Sequence, residues 1–267
     1  MNMADDIYAL ITGASSGIGE CFAHALARRG QNLVLTARSE GKLSHLAANL
    51  VREHPIKVEV IAADLSVRDA APQLVDFLNE RKLGIGLLVN NAAFGGRGEY
   101  WKLPLERQMA MVRLNINALA ELTYLLLPTM VERRRGAIIN VSSTASFQPM
   151  AYTATYAATK AFVTSFSMGL AEEVRPYGIR VVTLCPGGTR TNFFVAGNYG
   201  VRNIPGGMQE PDEVVEEALK ALDRGGGLVV PRLLNKLGVF VQRFIPRETA
   251  AKFAAIAFRP RNNRDSH

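Results

Sequence analysis

Short apolar runs alternate with amphipathic segments along most of this chain. The segments between the runs have helical spacing, as in Ile18–Arg29, Lys42–Val51 and Leu74–Leu78. The runs are rich in β-branched side chains, as buried parallel strands are, and lie at Ile7–Ile11, Leu33–Thr36, Val58–Ala62, Gly86–Val89, Ala137–Val141, Ile179–Leu184 and Leu228–Val230. This alternation predicts right-handed βαβ units, and so an α/β fold with a doubly wound parallel sheet and helices on both faces.

The alternating part of the chain reads as one domain. Of the 267 residues, 48% are hydrophobic, which excludes a disordered chain and supplies a full core. Because no linker rich in proline or serine interrupts the pattern, the sequence predicts one domain over residues 1–230. A C-terminal extension follows over residues 231–267.

Cysteine usage and hydropathy bear on where the protein acts. The two cysteines cannot build a disulfide framework, and the N-terminus lacks the basic start and apolar run of a signal peptide. No window reaches about 18 uninterrupted apolar residues, so a transmembrane helix is not expected. These features predict a cytoplasmic protein.

The formal net charge of +7 is unevenly distributed. Residues 1–227 carry a net charge of +1, whereas residues 228–267 carry +6. A nucleic-acid-binding face would need basic residues spread over the body, so no nucleic-acid partner is expected. The basic balance belongs to the C-terminal extension.

A glycine-rich turn follows the first strand and opens the first helix. Glycines at 13, 17 and 19 permit a tight turn and bring the backbone close to a ligand, while the helix N-terminus offers free N–H groups. A turn of this kind alone is weak evidence, but a strand precedes it and a helix follows. The dinucleotide contacts predicted here are Gly13, Ser15, Ser16, Gly17, Ile18 and Gly19.

The second strand ends in Ala37-Arg38 rather than in an acidic residue. An acidic residue at this place holds the ribose 2′-OH of NAD, whereas an arginine can pair with the 2′-phosphate of NADP. The alternative is a solvated arginine at a helix start. Arg38 therefore predicts NADP(H) as the cofactor.

Two further strand ends carry polar residues at the carboxyl edge of the sheet, where open α/β folds bind ligands. Asp64, followed by Leu65, could accept a hydrogen bond from the adenine amino group, or it could cap the next helix. Asn90 could stabilise neighbouring backbone or contact the cofactor. Asn91 and Ala92 are predicted cofactor contacts.

Tyr156 and Lys160 lie four residues apart and would share a helix face. A nearby cation favours phenolate and should lower the pKa of the tyrosine, which suits proton transfer to or from a carbonyl oxygen. Ser143, just past a strand, could polarise the same oxygen, with its neighbour Ser142 as the competing residue. Taken alone, a Tyr/Lys pair at this spacing is more often on a surface helix.

An asparagine pair lies in an otherwise apolar helix. Asn115 is either a satisfied core amide or part of a proton relay that holds water, and Asn117 is the competing choice.

With these pieces in order, the chain resembles the short-chain dehydrogenase/reductase family over about residues 5–192. The resemblance rests on Thr12 to Gly19, Asn90 to Ala93, Asn115, Ser143, the Tyr156/Lys160 pair, and Pro186-Gly187 followed by Thr191. It implies a Rossmann-type fold and a catalytic tetrad of Asn115, Ser143, Tyr156 and Lys160. It also implies that Thr191 and the backbone after Cys185-Pro186-Gly187 hold the nicotinamide carboxamide, and Pro186, Gly187, Thr189 and Thr191 are predicted cofactor contacts. Ala93 departs from the glycine usual in the family and should slightly narrow the cofactor crevice.

The resemblance implies reduction of a small-molecule carbonyl to an alcohol by NADPH, with Tyr156 as the general acid. The alternatives are an NAD(P)-dependent alcohol or hydroxysteroid dehydrogenase working toward oxidation, and a binding protein that senses NADP(H) without turnover. The family favours homodimers and homotetramers. The four histidines show no ligand spacing, so no metal site is expected.

A glycine-punctuated segment over about residues 188–212 is the predicted substrate loop. Such a loop can close over an apolar ligand. Together with upstream aromatic residues it suggests a roomy apolar pocket, with predicted substrate contacts at Phe94, Phe147, Tyr152, Phe193 and Phe194.

The C-terminal extension begins as a basic amphipathic helix. Leu233, Leu237, Phe240 and Phe244 fall on one stripe, Arg232, Lys236 and Arg243 fall on another, and Pro246 ends it. Packing against the body, over the substrate pocket or in a subunit interface, is favoured over contact with an anionic membrane surface.

Overall fold

Seven parallel strands form one sheet in the computed structural model, which describes residues 7–197, 199 and 207–260. The strands are Ile7–Thr12 (β1), Asn32–Ala37 (β2), Val58–Ala62 (β3), Gly84–Asn90 (β4), Gly136–Val141 (β5), Ile179–Leu184 (β6) and Gly227–Val229 (β7). Their order, β3-β2-β1-β4-β5-β6-β7, reverses direction beside β1, and this confirms the predicted doubly wound Rossmann-type fold.

Ten α-helices surround the sheet in the described part of the chain. They are Gly17–Arg28 (α1), Glu40–Glu53 (α2), Ala70–Glu80 (α3), Leu105–Val112 (α4), Leu119–Glu132 (α5), Ala154–Val174 (α6), Phe193–Ala196 (α7), Pro211–Asp223 (α8), Leu233–Gln242 (α9) and Arg247–Phe258 (α10). One core lies between the sheet and α1, α2 and α8, and the other between the sheet and α3, α5 and α6. The strands can be apolar throughout because both faces are covered.

The segment Leu105–Glu132 is long and apolar enough to cross a membrane, with a mean hydropathy of 1.2 in its most apolar window. A core helix of a soluble protein passes the same test, so length and composition are weak evidence. The inner side of this segment, including Leu122, Leu126 and Met130, packs on the sheet.

The C-terminal helices are attached to the body by two arginines. Arg97 donates to the carbonyl oxygens of Phe258 (2.7 Å), Arg259 (2.5 Å) and Tyr199 (2.5 Å). Arg232, predicted on the basic stripe, instead binds the Glu213 carboxylate at 3.0 Å and the Met208 carbonyl at 2.9 Å. The extension is therefore docked along α9 and at the end of α10.

Candidate active site

A cavity of about 860 Å³ runs along the carboxyl ends of the strands. Arg38 lines one end, the glycine-rich turn and Tyr156 line the middle, and residues of the C-terminal helices line the other end. The parallel topology explains this, because it brings the ends of β1, β2, β4, β5 and β6 to one edge. The volume suits a large organic ligand.

The glycine-rich turn forms a cradle at the N-terminus of α1. Gly13 and Gly17 have φ values of +66° and +60°, where a side chain would be strained. The side chain of Ser16 makes no capping hydrogen bond, so N–H groups of the first helical turn remain for a ligand. Ser15, Ser16, Gly17 and Ile18 line the cavity, whereas Gly19 lies behind the turn.

Gly19→Ala should disrupt this turn. A Cβ at position 19 would lie 2.3 Å from the Gly13 carbonyl oxygen and 2.5 Å from Asn91 Nδ2. Because backbone must move to make room, we expect a loss of about 1–3 kcal/mol in the free energy of unfolding and at least tenfold weaker NADPH binding. Urea denaturation and NADPH titration measure both.

Gly41→Ala is the matched control, since Gly41 lies in the first turn of α2 and a Cβ there meets no atom within 4 Å. That variant should gain about 0.5–1 kcal/mol of stability and bind NADPH normally. Equal behaviour of the two variants would contradict the close contact at Gly19.

Two asparagines at the end of β4 support the backbone. Asn91 Nδ2 donates to the Thr12 carbonyl at 2.8 Å, and Thr12 Oγ1 accepts from the backbone N–H groups of Asn91 and Ala92. Asn90 is buried and donates to Thr123 and Asn140, so its side chain stabilises the centre of the sheet. Asn91 and Ala92 line the cavity as predicted.

Arg38 and Asp64 lie at the far end of the cavity. Arg38 is exposed and makes no ion pair with a described residue. Asp64 Oδ1 accepts from the Ser66 N–H and hydroxyl, so it caps a local turn rather than the following helix. Burial acts to raise the Asp64 pKa, but the Ser66 hydrogen bonds and the Arg38 charge outweigh it, and the net pKa is lowered. Leu65 also lines this end.

Ser143 and Tyr156 face each other in the middle of the cavity. The Ser143 hydroxyl lies close enough to the Tyr156 phenol to act to lower its pKa by hydrogen bonding. It also accepts from the Ala145 N–H at 3.1 Å and donates to the Pro186 carbonyl at 3.5 Å. The neighbouring Ser142 hydroxyl instead bonds Thr164 and the Lys160 carbonyl in the interior. The structure therefore turns Ser143, not Ser142, toward Tyr156.

Lys160 is buried one turn beyond Tyr156. Its Nζ donates to the Val141 carbonyl at 2.8 Å and lies 5.9 Å from the centroid of the Tyr156 ring. Burial lowers the pKa of Lys160 to about 8. The spacing of Tyr156 and Lys160 predicted a lowered pKa for Tyr156, but burial, followed by the neighbouring Tyr199, raises the pKa despite the Ser143 hydrogen bond. The phenol is therefore protonated at neutral pH, as a proton donor must be.

Asn115 lies in a π-helical stretch, Arg113–Ala118, between α4 and α5. Such stretches are frequent at functional sites. Its side-chain amide donates to the Phe94 carbonyl and to Thr159 Oγ1, both at 3.0 Å, and its oxygen accepts from the Phe94 N–H. It is buried behind the cavity wall, whereas Asn117 is exposed. Asn115 thus positions the segment of Phe94 and the helix of Lys160, and its relay role remains a prediction.

The loop after β6 closes the nicotinamide end of the predicted site. Pro186, Gly187, Thr189 and Thr191 all line the cavity. Thr189 is buried, with its hydroxyl donating to the Gly187 carbonyl and accepting from Gln209. Thr191 contacts the turn opposite, since a Cβ at Gly17 would lie 2.9 Å from its methyl group.

The predicted substrate residues divide into two groups. Phe94, Phe193 and Phe194 line the cavity, and the Phe193 ring lies 5.3 Å from that of Tyr156. Phe147 does not line it, because it packs against Cys185, Val230 and Val239 beneath α9. Tyr152 does not line it either, because its hydroxyl turns away to accept from Arg259. Those two predicted contacts are therefore not supported.

Comparisons with known proteins agree with this geometry. The family model described as short chain dehydrogenase matches residues 8–198. The chain belongs to the short-chain dehydrogenase/reductase family. A very-long-chain 3-oxoacyl-CoA reductase of Rattus norvegicus is 32% identical, with 92% of this chain and 79% of that protein covered.

Two solved structures resemble this dehydrogenase over most of its length. A short-chain dehydrogenase from Sphingobium yanoikuyae in complex with NADPH is 35% identical, with a TM-score of 0.79, covering 92% of this chain and 99% of that one. A bulky-bulky ketone specific alcohol dehydrogenase from Comamonas testosteroni is 33% identical, with a TM-score of 0.75 and coverage of 92% and 97%.

Several cavity residues of the dehydrogenase are not predicted by its sequence. They come from the C-terminal helices and from the segment before α6, and include Gln148, Leu234, Asn235, Gly238, Val239, Gln242 and Phe258. Tyr199, which belongs to the predicted substrate loop, also lines the cavity. The amphipathic pattern of α9 shows that its two faces differ but not which one covers the cavity. Part of the predicted loop, residues 198 and 200–206, lies outside the described residues.

Proposed function

We propose that this dehydrogenase reduces the carbonyl group of a bulky apolar ketone or aldehyde with NADPH. The observation that carries the proposal is one continuous cavity with the exposed Arg38 at one end and Ser143, Tyr156 and Lys160 in the middle. Its substrate end is lined by large apolar side chains such as Met150, Phe193 and Phe194 on one side and by residues of α9 that include the polar Asn235 and Gln242 on the other. Cytoplasmic action and a homodimer or homotetramer are part of the proposal, to be tested by fractionation and light scattering.

The cofactor end fits a dinucleotide phosphate. A cradle that side chains at Gly13, Gly17 and Gly19 would fill leaves room for a pyrophosphate at the N-terminus of α1. Arg38 stands where a 2′-phosphate would lie if the adenine ribose followed β2. The NADPH complex of the Sphingobium relative supports the same cofactor here.

The side chains supply proton transfer and orientation. When bound, NADPH supplies the hydride that reduces the carbonyl carbon. The protonated Tyr156 phenol donates its proton to the developing alkoxide oxygen, and the Ser143 hydroxyl hydrogen-bonds the same oxygen. The Lys160 ammonium favours the phenolate that forms, so the charge at the end of the step is stabilised.

The substrate end is built to receive an apolar group. Met150, Phe193, Phe194 and Tyr199 form one side, and residues of α9 and α10 form the other. The names of two relatives, a very-long-chain 3-oxoacyl-CoA reductase and a bulky-bulky ketone specific dehydrogenase, support large substrates. Burial of added apolar surface should therefore raise kcat/KM along a homologous series.

An NADPH-oxidation screen tests the proposal directly. Purified protein is offered short and long 3-oxoacyl thioesters, steroid ketones, bulky aryl ketones and sugars. We expect turnover that increases with apolar size and is absent with sugars. Turnover that favours NAD⁺-dependent alcohol oxidation, or NADPH binding without turnover of any class, would overturn the proposal.

Burial of Lys160 predicts a pH-dependent stability. Because its pKa falls from 10.5 to about 8 on folding, the unfolded chain binds more protons than the folded one between these values. Below pH 8 the buried, charged Lys160 destabilises the folded protein. As pH rises and Lys160 loses its proton, the free energy of unfolding should increase, by about 1 kcal/mol between pH 7 and pH 9.

Lys160→Met isolates this contribution, because other titrating groups are common to both proteins. Urea denaturation at several pH values should show the stability difference between Lys160→Met and the unaltered protein shifting in favour of the unaltered protein as pH rises. A difference independent of pH would contradict the lowered pKa.

A further inference from the structure

The outer side of the C-terminal helices exposes large apolar side chains. We name this set the apolar tail face, and its members, each between 45% and 79% exposed, are Leu233, Leu234, Leu237, Phe240, Val241, Phe244, Phe253 and Ile256. A concentration of this kind within two adjacent helices marks an interaction site.

The opposite side of the same helices faces the cavity and the body of the protein. Asn235, Gly238, Val239 and Gln242 of α9 line the cavity, and Ala254 of α10 packs against Met150 and Ala157. The hydrogen bonds of Arg97 and Arg232 hold the extension in this orientation. Folding of the chain on itself therefore does not cover the apolar tail face in the described part of the structure.

Exposed cations lie on the same two helices as the apolar tail face. Lys236, Arg243, Arg247 and Lys252 are exposed and form no ion pair with any residue that the structure describes. At 100° per residue, Lys236 and Arg243 lie beside the stripe of Leu233, Phe240 and Phe244 on one flank of α9. Residues 228–267 carry a net charge of +6, while the rest of the chain is nearly neutral.

We propose that the apolar tail face binds the surface of an anionic lipid membrane. Helices that lie in a membrane interface combine exposed apolar side chains with flanking Lys and Arg that meet anionic headgroups. A second copy of the chain fits less well, because a two-fold contact through this face would oppose unpaired cations with like charges. The positive charge is concentrated where the membrane contact is proposed, since residues 1–227 carry a net charge of only +1.

This orientation would place the substrate end of the cavity at the membrane. Leu234 belongs to both surfaces, since it lines the cavity and is 67% exposed, and Phe258 lines the cavity at the end of α10. An apolar substrate could pass from the bilayer to Tyr156 along α9. Membrane binding itself does not depend on the proposed carbonyl reduction, so vesicle experiments and activity assays can fail separately.

Co-sedimentation of the full chain with vesicles tests the proposal. Vesicles of phosphatidylcholine alone are compared with vesicles that contain phosphatidylglycerol. We expect binding to the anionic vesicles, at least tenfold weaker binding to neutral ones, and weakening by high salt. Equal binding to both, or none to either, would overturn the proposal.

Two pairs of matched variants test whether the apolar tail face and the cations on its helices bind the vesicles. Phe240→Glu/Phe244→Glu should reduce binding at least tenfold, whereas Val51→Glu/Val67→Glu, which changes charge equally at exposed body sites, should not. Lys236→Gln/Arg243→Gln/Arg247→Gln/Lys252→Gln should also reduce binding. The control is Arg28→Gln/Lys82→Gln/Arg135→Gln/Arg224→Gln, which removes four exposed cations from the body and should leave vesicle binding unchanged.

Light scattering on the same variants identifies the competing occupant. If Phe240→Glu/Phe244→Glu converts an oligomer into monomers and the unaltered protein does not bind vesicles, the apolar tail face is a subunit interface and the proposal is wrong. Unchanged subunit number with lost vesicle binding supports it.

Discussion

Tyr156→Phe is expected to lower kcat for carbonyl reduction by on the order of 10²–10⁴. The change removes the phenolic proton of Tyr156, which faces Ser143 across the cavity, while the ring and its contact with Phe193 are kept. The cofactor cradle is built from other residues, so NADPH affinity should change by less than about threefold. Stopped-flow NADPH oxidation and fluorescence titration of NADPH measure the two effects.

Tyr152→Phe supplies the control for loss of a phenol, four residues earlier in the chain. Its hydroxyl accepts from Arg259 outside the cavity, so the variant should retain kcat within about twofold. If Tyr156→Phe kept normal turnover, or if Tyr152→Phe lost it, the role given to Tyr156 would be wrong.

The fold could be predicted because each strand is a local signal. Buried parallel strands are apolar on both sides, and the predicted bounds of Val58–Ala62 and Ile179–Leu184 coincide with β3 and β6. The glycine-rich turn could also be predicted. Its positive φ values and close contacts require glycine, and these glycines can be recognised in the sequence.

The substrate side was less predictable because it depends on packing between distant segments. Phe147 and Tyr152 have the composition of pocket residues, yet one lies beneath α9 and the other turns toward Arg259. The pKa of Tyr156 likewise could not be read from its spacing to Lys160. Burial, followed by the neighbouring Tyr199, raises this pKa. The rings of Phe193 and Tyr199 that pack beside Tyr156 come from more than 35 residues later in the chain.

The C-terminal extension shows the same limit for a helix. Its sequence displays an apolar stripe, and such stripes usually face a core. In α9 the small and polar residues Asn235, Gly238 and Gln242 face the cavity, and the stripe faces outward. A helix that covers a ligand cavity can place polar and small side chains toward it, whereas a helix that packs on a core must place apolar side chains toward the core.

Arg38→Ala should change cofactor choice more than any other single exposed substitution. A charge-assisted pair with a 2′-phosphate contributes about 1.5–3 kcal/mol, so kcat/KM with NADPH should fall by roughly 10- to 150-fold. Since NADH has no 2′-phosphate, its kcat/KM should stay within about twofold. Steady-state kinetics with both cofactors, on one good carbonyl substrate, give the ratio.

Arg52→Ala is the matched control, because Arg52 is exposed on α2, and its ion pair is with the adjacent Glu53. It should leave both cofactors unaffected, which separates a local contact from a general loss of positive charge. Lys42 also lines the cavity beside Arg38 and could share the phosphate. If Arg38→Ala alone lowers kcat/KM with NADPH only slightly, but Arg38→Ala/Lys42→Ala lowers it strongly, then Arg38 and Lys42 share the recognition of the 2′-phosphate. An equal loss with NADPH and NADH would instead place Arg38 on a part of the cofactor that both share, and the 2′-phosphate assignment would then be wrong.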